Sequence, residues 1–187
     1  MRIGLIADTH MPGSIKELWP QAYDAFRDAD VILHAGDLHT LDVVDELNQL
    51  APIYVARGNG DLDIIDDRLQ DCWALELGGL TIGMIHKLPS PARKSPEFIA
   101  GYVERHFGDV QPDIMVYGHT HLEGVHLVGD MLCINPGSPT LPKNQSIRHG
   151  TIGMLDISST GTVASIFQIT EQGIEAHEHV APHSFSR

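Results

Sequence analysis

The N-terminal third of the chain repeats one unit: a short apolar run, a polar stop, then an amphipathic stretch. The runs are RIGLIAD (2–8), VILHAGD (31–37) and PIYVARGNGD (52–61). Between them, SIKELWPQAYDAFRDAD (14–30) and TLDVVDELNQL (40–50) place apolar residues at helical spacing, with Thr40 as the expected N-cap of the second. A β-α-β-α-β order implies parallel strands joined by right-handed crossovers. Ligands of such sheets gather outside the carboxyl ends of the strands, which is where Asp8, Asp37 and Asn59 fall.

The rest of the chain has another rhythm. CWALEL and LTIGMIH flank Gly78 and Gly79, a hairpin signal, and residues 95–107 read as a helix leading into the strand DIMVYG. GVHLV, MLCIN, GTIGMLDI and TVASIFQI are short strands separated by turn residues. A parallel α/β half followed by hairpins predicts two sheets packed together with helices outside. No repeat, linker or low-complexity tract divides 1–187, so one domain is expected, and a domain of this length buries roughly 70% of its unfolded surface. Residues 175–187, with His177, His179 and His183, read as a surface or flexible tail.

Charge narrows the function. A net charge of −13 with 12 Lys+Arg argues against broad contact with a nucleic-acid backbone, which depends on clustered cations. An anionic substrate would then need a local positive charge, and the 12 histidines could supply one by converging on bound metal ions. Cys72 and Cys133 lie far apart in apolar runs and read as buried free thiols of a reducing compartment. MRIGLIADTH is too short in apolar residues for a signal-peptide core, and no stretch approaches the ~18 apolar residues of a membrane span. A cytoplasmic protein without a membrane partner is expected.

Taken together, the ends of the apolar runs spell D-x-H (Asp8, His10), G-D (Asp37), G-N-x-D (Asn59, Asp61), a single His86 and G-H-T-H (His119, His121). Carboxylate, amide and imidazole donors without thiolate suit manganese, iron, nickel or zinc and argue against a structural Cys-rich zinc site. Asp8, His10, Asp37, Asn59, His86, His119 and His121 are too many for one ion. Two ions about 3.5–4 Å apart, sharing a carboxylate, would use them all, and that spacing serves phosphoryl chemistry.

In order and spacing these motifs resemble the signature of calcineurin-like metallophosphoesterases, and INPGSPTLP (134–142) resembles the small YfcE-like phosphodiesterase branch. The resemblance implies a four-layer αββα sandwich, two mixed β-sheets flanked by helices, with a dinuclear site at the sheet edge. By matching motif, Asp8, His10 and His121 would bind one ion, Asn59, His86 and His119 the other, and Asp37 would bridge them. Manganese is the expected metal, with iron, nickel and zinc open. Two such ions lower the pKa of a bridging water from 15.7 toward about 7, giving a hydroxide for in-line attack on a small phosphate ester. Asn59 would also orient a phosphate oxygen. Association into a homo-oligomer is left open.

Several positions depart from the pattern or lie beside it. Gly60 stands where many members of the superfamily have a histidine thought to assist the leaving group, which favours diesters over monoesters. His39 is a candidate substitute against a solvated loop residue, and His34 reads as a packed residue. Lys87 and Leu88 are expected to alter the wall beside the site. NPGS reads as a structural turn, with Lys143 and Arg148 as scarce cations near it. A protein-interaction scaffold is the alternative: the chain resembles the phosphoesterase-fold subunit of the retromer coat in GHTH and NPGS. That scaffold has asparagine at the position of Asp37 and aspartate at that of Asn59, whereas the bridging carboxylate is intact here.

Overall fold

A computed structural model describes residues 1–145 and 149–186; Arg148 lies outside them. The N-terminal part runs β1 (Arg2–Ile6), α1 (Pro20–Phe26), β2 (Val31–His34), α2 (Asp42–Leu47), β3 (Ile53–Ala56) and β4 (Leu69–Gln70). It continues through β5 (Cys72–Leu77), β6 (Leu80–Ile85), α3 (Pro96–Phe107), β7 (Ile114–Val116), β8 (Gly124–Val128) and β9 (Met131–Asn135). The chain then closes with β10 (Thr151–Ser158), β11 (Gly161–Thr170), β12 (Gly173–Ala176) and β13 (His183–Phe185).

One sheet has the order β12-β11-β10-β1-β2-β3-β4, with β13 beside β11, and the other β5-β6-β7-β9-β8. Both are mixed. β1 to β4 pair in parallel while β10 joins β1 antiparallel, and β6, β7 and β9 are parallel between the antiparallel strands β5 and β8.

Period-2 alternation explains the layers, because successive strand residues face opposite sides. Ile114 and Val116 of β7 join Ile3, Leu5, Leu33, Ile82 and Leu155 in the core between the sheets, while Met115 and Tyr117 pack under α3 with Ile99 and Val103. On the far side, Ile6 and Ile32 meet Phe26 of α1 and Val43, Val44 and Leu47 of α2. The result is the four-layer αββα sandwich. Gly4 permits the α1 contact: a Cβ there would lie 2.6 Å from Phe26 Cδ1.

The helix ends differ from the sequence expectation in physical detail. α1 begins only at Pro20, because proline lacks the interior N–H and drives Trp19 to an extended ψ of 132°. α2 is capped by Leu41 without a side-chain bond, so Thr40 is not its cap; Asp42 and Asp45 in the first turn complement the helix dipole instead. α3 follows its sequence closely: Ser95 Oγ accepts the Phe98 N–H and Pro96 opens the first turn. No helix of the described residues is long and apolar enough to cross a membrane.

The C-terminal stretch lies largely at the surface, as expected, but it is tied to the sheet. β12 and β13 both pair with β11, and His177 is buried. His177 Nδ1 accepts the N–H groups of His179 and Val180, which leaves Nε2 to carry the ring proton. That nitrogen lies 3.2 Å from Glu123 Oε1, beside the carboxylate although off the hydrogen-bond axis. These contacts join the C-terminal segment to the residues just after GHTH. His177→Ala is expected to destabilise the protein by about 1–3 kcal/mol in urea titration, since it strands a buried carboxylate; an unchanged midpoint would contradict the clamp.

Candidate metal centre

The residues singled out at the strand ends arrive at one edge of the two sheets on unusual backbone. Asp8, His10, Asp37, His39, His119 and His121 all have positive φ, between 46° and 75°. Such conformations cost energy in residues other than glycine and persist where side-chain direction matters. The loops after β1 and β2 are stitched together by Asp8 N–H to Gly36 O (2.8 Å) and His10 N–H to Asp37 O (2.9 Å). Asp61, quoted in the G-N-x-D motif but given no role by the sequence, is the clamp. Its fully buried carboxylate accepts the N–H groups of Asp37 (2.8 Å), Leu38 (2.7 Å), His39 (3.0 Å) and Gly58 (2.9 Å).

Within this frame the donors form two groups. One nitrogen or oxygen from each of Asp8, His10 and His121 lies within 4.8 Å of the others, and the same is true of Asp37, His86 and His119. Asn59 joins the second group, with its Oδ1 3.3 Å from His86 Nε2 and 3.1 Å from His119 Nδ1. Asp37 faces both. Its Oδ2 is 3.5 Å from His10 Nε2 and 3.4 Å from His86 Nε2, while Oδ1 accepts the Gly60 N–H at 2.8 Å. The structure therefore brings all of the predicted site residues together.

Outer contacts orient the rings. His86 Nδ1 donates to Ala35 O at 2.7 Å and His121 Nδ1 donates to Leu141 O at 2.7 Å, which turns each Nε2 toward the centre. The His119 N–H donates to Asp8 Oδ1 (3.0 Å). Asp8 Oδ2 and His10 Nε2 are buried without a hydrogen-bond partner. Buried polar atoms are rarely left so, and a cation would satisfy both. The donor chemistry and these orphaned atoms fit divalent metal.

Electrostatics divides the two carboxylates. Burial pushes Asp8 up to about 7, partly offset by nearby His86 and the His119 N–H. Burial acts the same way on Asp37, but hydrogen bonds from His86 and the Gly60 N–H, with the charges of His86 and His10, hold it well below the carboxylate range. Burial lowers His10 and His119, as proximity to His86 and Lys87 also does for His119. His86 goes the other way, burial being outweighed by Asp37 and the Ala35 carbonyl.

The remaining motif residues serve as supports. His34 is buried, pushed down to about 4 by that burial, with Nδ1 on the Gly36 N–H and Nε2 3.1 Å from Thr9 Oγ1. In NPGS, Ser138 Oγ donates to Asp8 O (2.7 Å) and Asn135 Nδ2 donates to Gly118 O (3.1 Å), so the turn pins both the Asp8 and the GHTH loops. A polar residue closing an otherwise apolar strand, as Asn135 does, was the available signal. Leu88 is buried in the layer beneath α3, which corrects its expected place in the site wall; Lys87 is exposed. A cavity of about 720 Å³ opens beside His119 and His121, walled by Thr140, Leu141, Pro142 and Lys143. A larger cleft of about 1200 Å³ lies between α3, the β8–β9 turn and β13, away from every predicted donor.

Comparison with known proteins agrees with this geometry. Residues 1–160 match the calcineurin-like phosphoesterase superfamily domain. A probable metallophosphoesterase of Methanothermobacter thermautotrophicus is 36% identical over 148 residues, covering 76% of this chain and 80% of that protein. The phosphodiesterase YfcE of Escherichia coli is 36% identical over 72 residues, 38% of this chain and 36% of YfcE. Among solved structures, wild-type Vps29 of Entamoeba histolytica complexed with zinc superposes with a TM-score of 0.76 at 22% identity, with 100% of both chains covered. The last shows a shared fold. The superfamily match over most of the chain and the archaeal relative place this protein in the calcineurin-like phosphoesterase superfamily.

Proposed function

We propose that the chain is a phosphodiesterase that works with two divalent metal ions. Asp8, His10 and His121 would hold one, Asn59, His86 and His119 the other, and Asp37 both. The observation that carries this reading is Asp37 Oδ2, a single carboxylate oxygen within 3.5 Å of a donor nitrogen of each group. When bound, the ions supply an acidified water and charge that neutralises phosphoryl oxygens. Manganese suits the mixed oxygen and nitrogen donors, with iron, nickel and zinc compatible.

The chain's own residues do the positioning. Asn59 turns its Oδ1 toward His86 and His119, which frees its NH₂ to donate to a phosphate oxygen. Gly60 itself offers no side chain where many superfamily members have a histidine, and a relative carries the name phosphodiesterase; both favour diesters. The cavity beside His121 has room for the ester's second arm against Leu141 and Pro142, with Lys143 at its rim.

The test is turnover by metal-reconstituted protein of aryl, cyclic-nucleotide and dinucleotide diesters beside the matching monoesters. Manganese-dependent diester cleavage exceeding monoester cleavage is expected. A protein that binds metal yet cleaves none of them, and instead binds a protein partner, would be a scaffold.

A further inference from the structure

Among the described residues, six other than glycine hold left-handed backbone, and five of them, Asp8, His10, Asp37, His119 and His121, belong to the donor groups. The sixth is His39, with φ 75°. Its N–H is fixed by Asp61 Oδ1, and its ring stands edge-on to that of His10, 4.6 Å between centroids at 74°. Across from it is Gly60, where a Cβ would lie 2.6 Å from His39 Cδ2 and 2.7 Å from His39 Nε2. The imidazole therefore occupies the room that a side chain at position 60 would need. His39 is exposed, and its ring nitrogens have no hydrogen-bond partner among the described residues. Backbone strain, a missing Cβ opposite and free ring nitrogens converge on one solvent-facing donor beside the metal-binding groups.

We propose that His39 is a catalytic residue that donates a ring N–H to the leaving-group oxygen of the diester. This rests on the phosphodiesterase reading above. The donor groups are buried or half-buried, whereas the imidazole beside His10 is exposed, so an alcohol departing toward solvent would pass it. Water adds its hydroxyl to phosphorus, and the phosphorus–oxygen bond to the alcohol breaks with the electron pair on oxygen. The remaining proton of that water passes, in net, to the departing alkoxide, giving an alcohol and a phosphomonoester. The imidazole N–H stabilises the charge that gathers on the leaving oxygen, as a placed donor does for any developing oxyanion.

The test compares two thymidine diesters, one with a p-nitrophenyl leaving group and one a dinucleotide whose leaving group is a sugar alkoxide. His39→Ala should lower kcat on the dinucleotide by about 10²-fold, the range for loss of one oxyanion donor, with little change on the nitrophenyl ester. His39→Gln, which keeps an N–H donor, should recover part of the loss, and Gly60→Ala, which displaces the ring, should resemble His39→Ala. Metal content by elemental analysis should match wild type, since His39 is not a ligand. Equal losses on both esters, no loss on either, or loss of bound metal in His39→Ala would each overturn the assignment. A wild-type protein that cleaves neither ester would overturn the phosphodiesterase reading along with it, whereas an active wild type with an indifferent His39→Ala overturns this inference alone.

Discussion

Asp37→Asn should fold normally and lose more than about 100-fold in diester turnover. That magnitude is a lower bound: changing a partner that merely orients a metal ligand already costs 10–100-fold in affinity or activity. The fold should survive because asparagine keeps an Oδ1 to accept the Gly60 N–H, the bond that Asp37 makes at 2.8 Å. What it loses is the anionic Oδ2 that faces His10 and His86 together. A neutral amide between two cations leaves their repulsion uncompensated, so metal content should fall from two ions per chain toward one. Circular dichroism with elemental analysis separates the outcomes. An Asp37→Asn protein with full metal content and wild-type turnover would show that position 37 does not bridge.

Metal removal has the second large effect, and its size should depend on pH. Without metal, burial pushes Asp8 up to about 7 from an ordinary 3.8. Between those values the folded protein keeps a proton that the unfolded chain has released, so stability falls as pH rises through the window. Asp37, held below its ordinary value, acts oppositely, and its contribution is lost as pH falls into the acid range. Metal binds the deprotonated carboxylates, so it should restore most stability where Asp8 costs most, at and above pH 7. Each ion at a hundredfold excess over its dissociation constant adds about 2.7 kcal/mol. For a chain of this size that corresponds to roughly 5–10 °C in melting temperature per ion. Melting with chelator and with manganese at pH 5 and pH 8 should show the larger gain at pH 8. Equal gains at both would mean that Asp8 does not release a proton on binding.

Much of this was legible because the informative residues sit where apolar runs end. Asp8, Asp37, Asn59 and His119 each follow a plain apolar run; parallel pairing carries the first three to one sheet edge, and the packing of the second sheet brings His119 beside them. The hairpin at Gly78 and Gly79 and the helix beginning near Ser95 were readable for the same local reason. What stayed hidden depends on contacts distant in sequence. The burial of His177 needs Glu123, and β13 is only three residues long, too short to show a period. Asp61 carries no signal beyond being acidic; its four N–H partners come from two separate loops. Leu88 follows a site residue in sequence, yet the chain has already turned beneath α3. The place of His39 emerges only when the loop after β2 is laid against Gly60.

The most direct test is anomalous diffraction from crystals grown with manganese. Two peaks per chain are expected, both in contact with the Asp37 carboxylate, one also touching Asp8, His10 and His121 and the other Asn59, His86 and His119. A single peak, or peaks that leave Asp37 untouched, would contradict the two-ion centre on which the proposed phosphodiesterase chemistry stands.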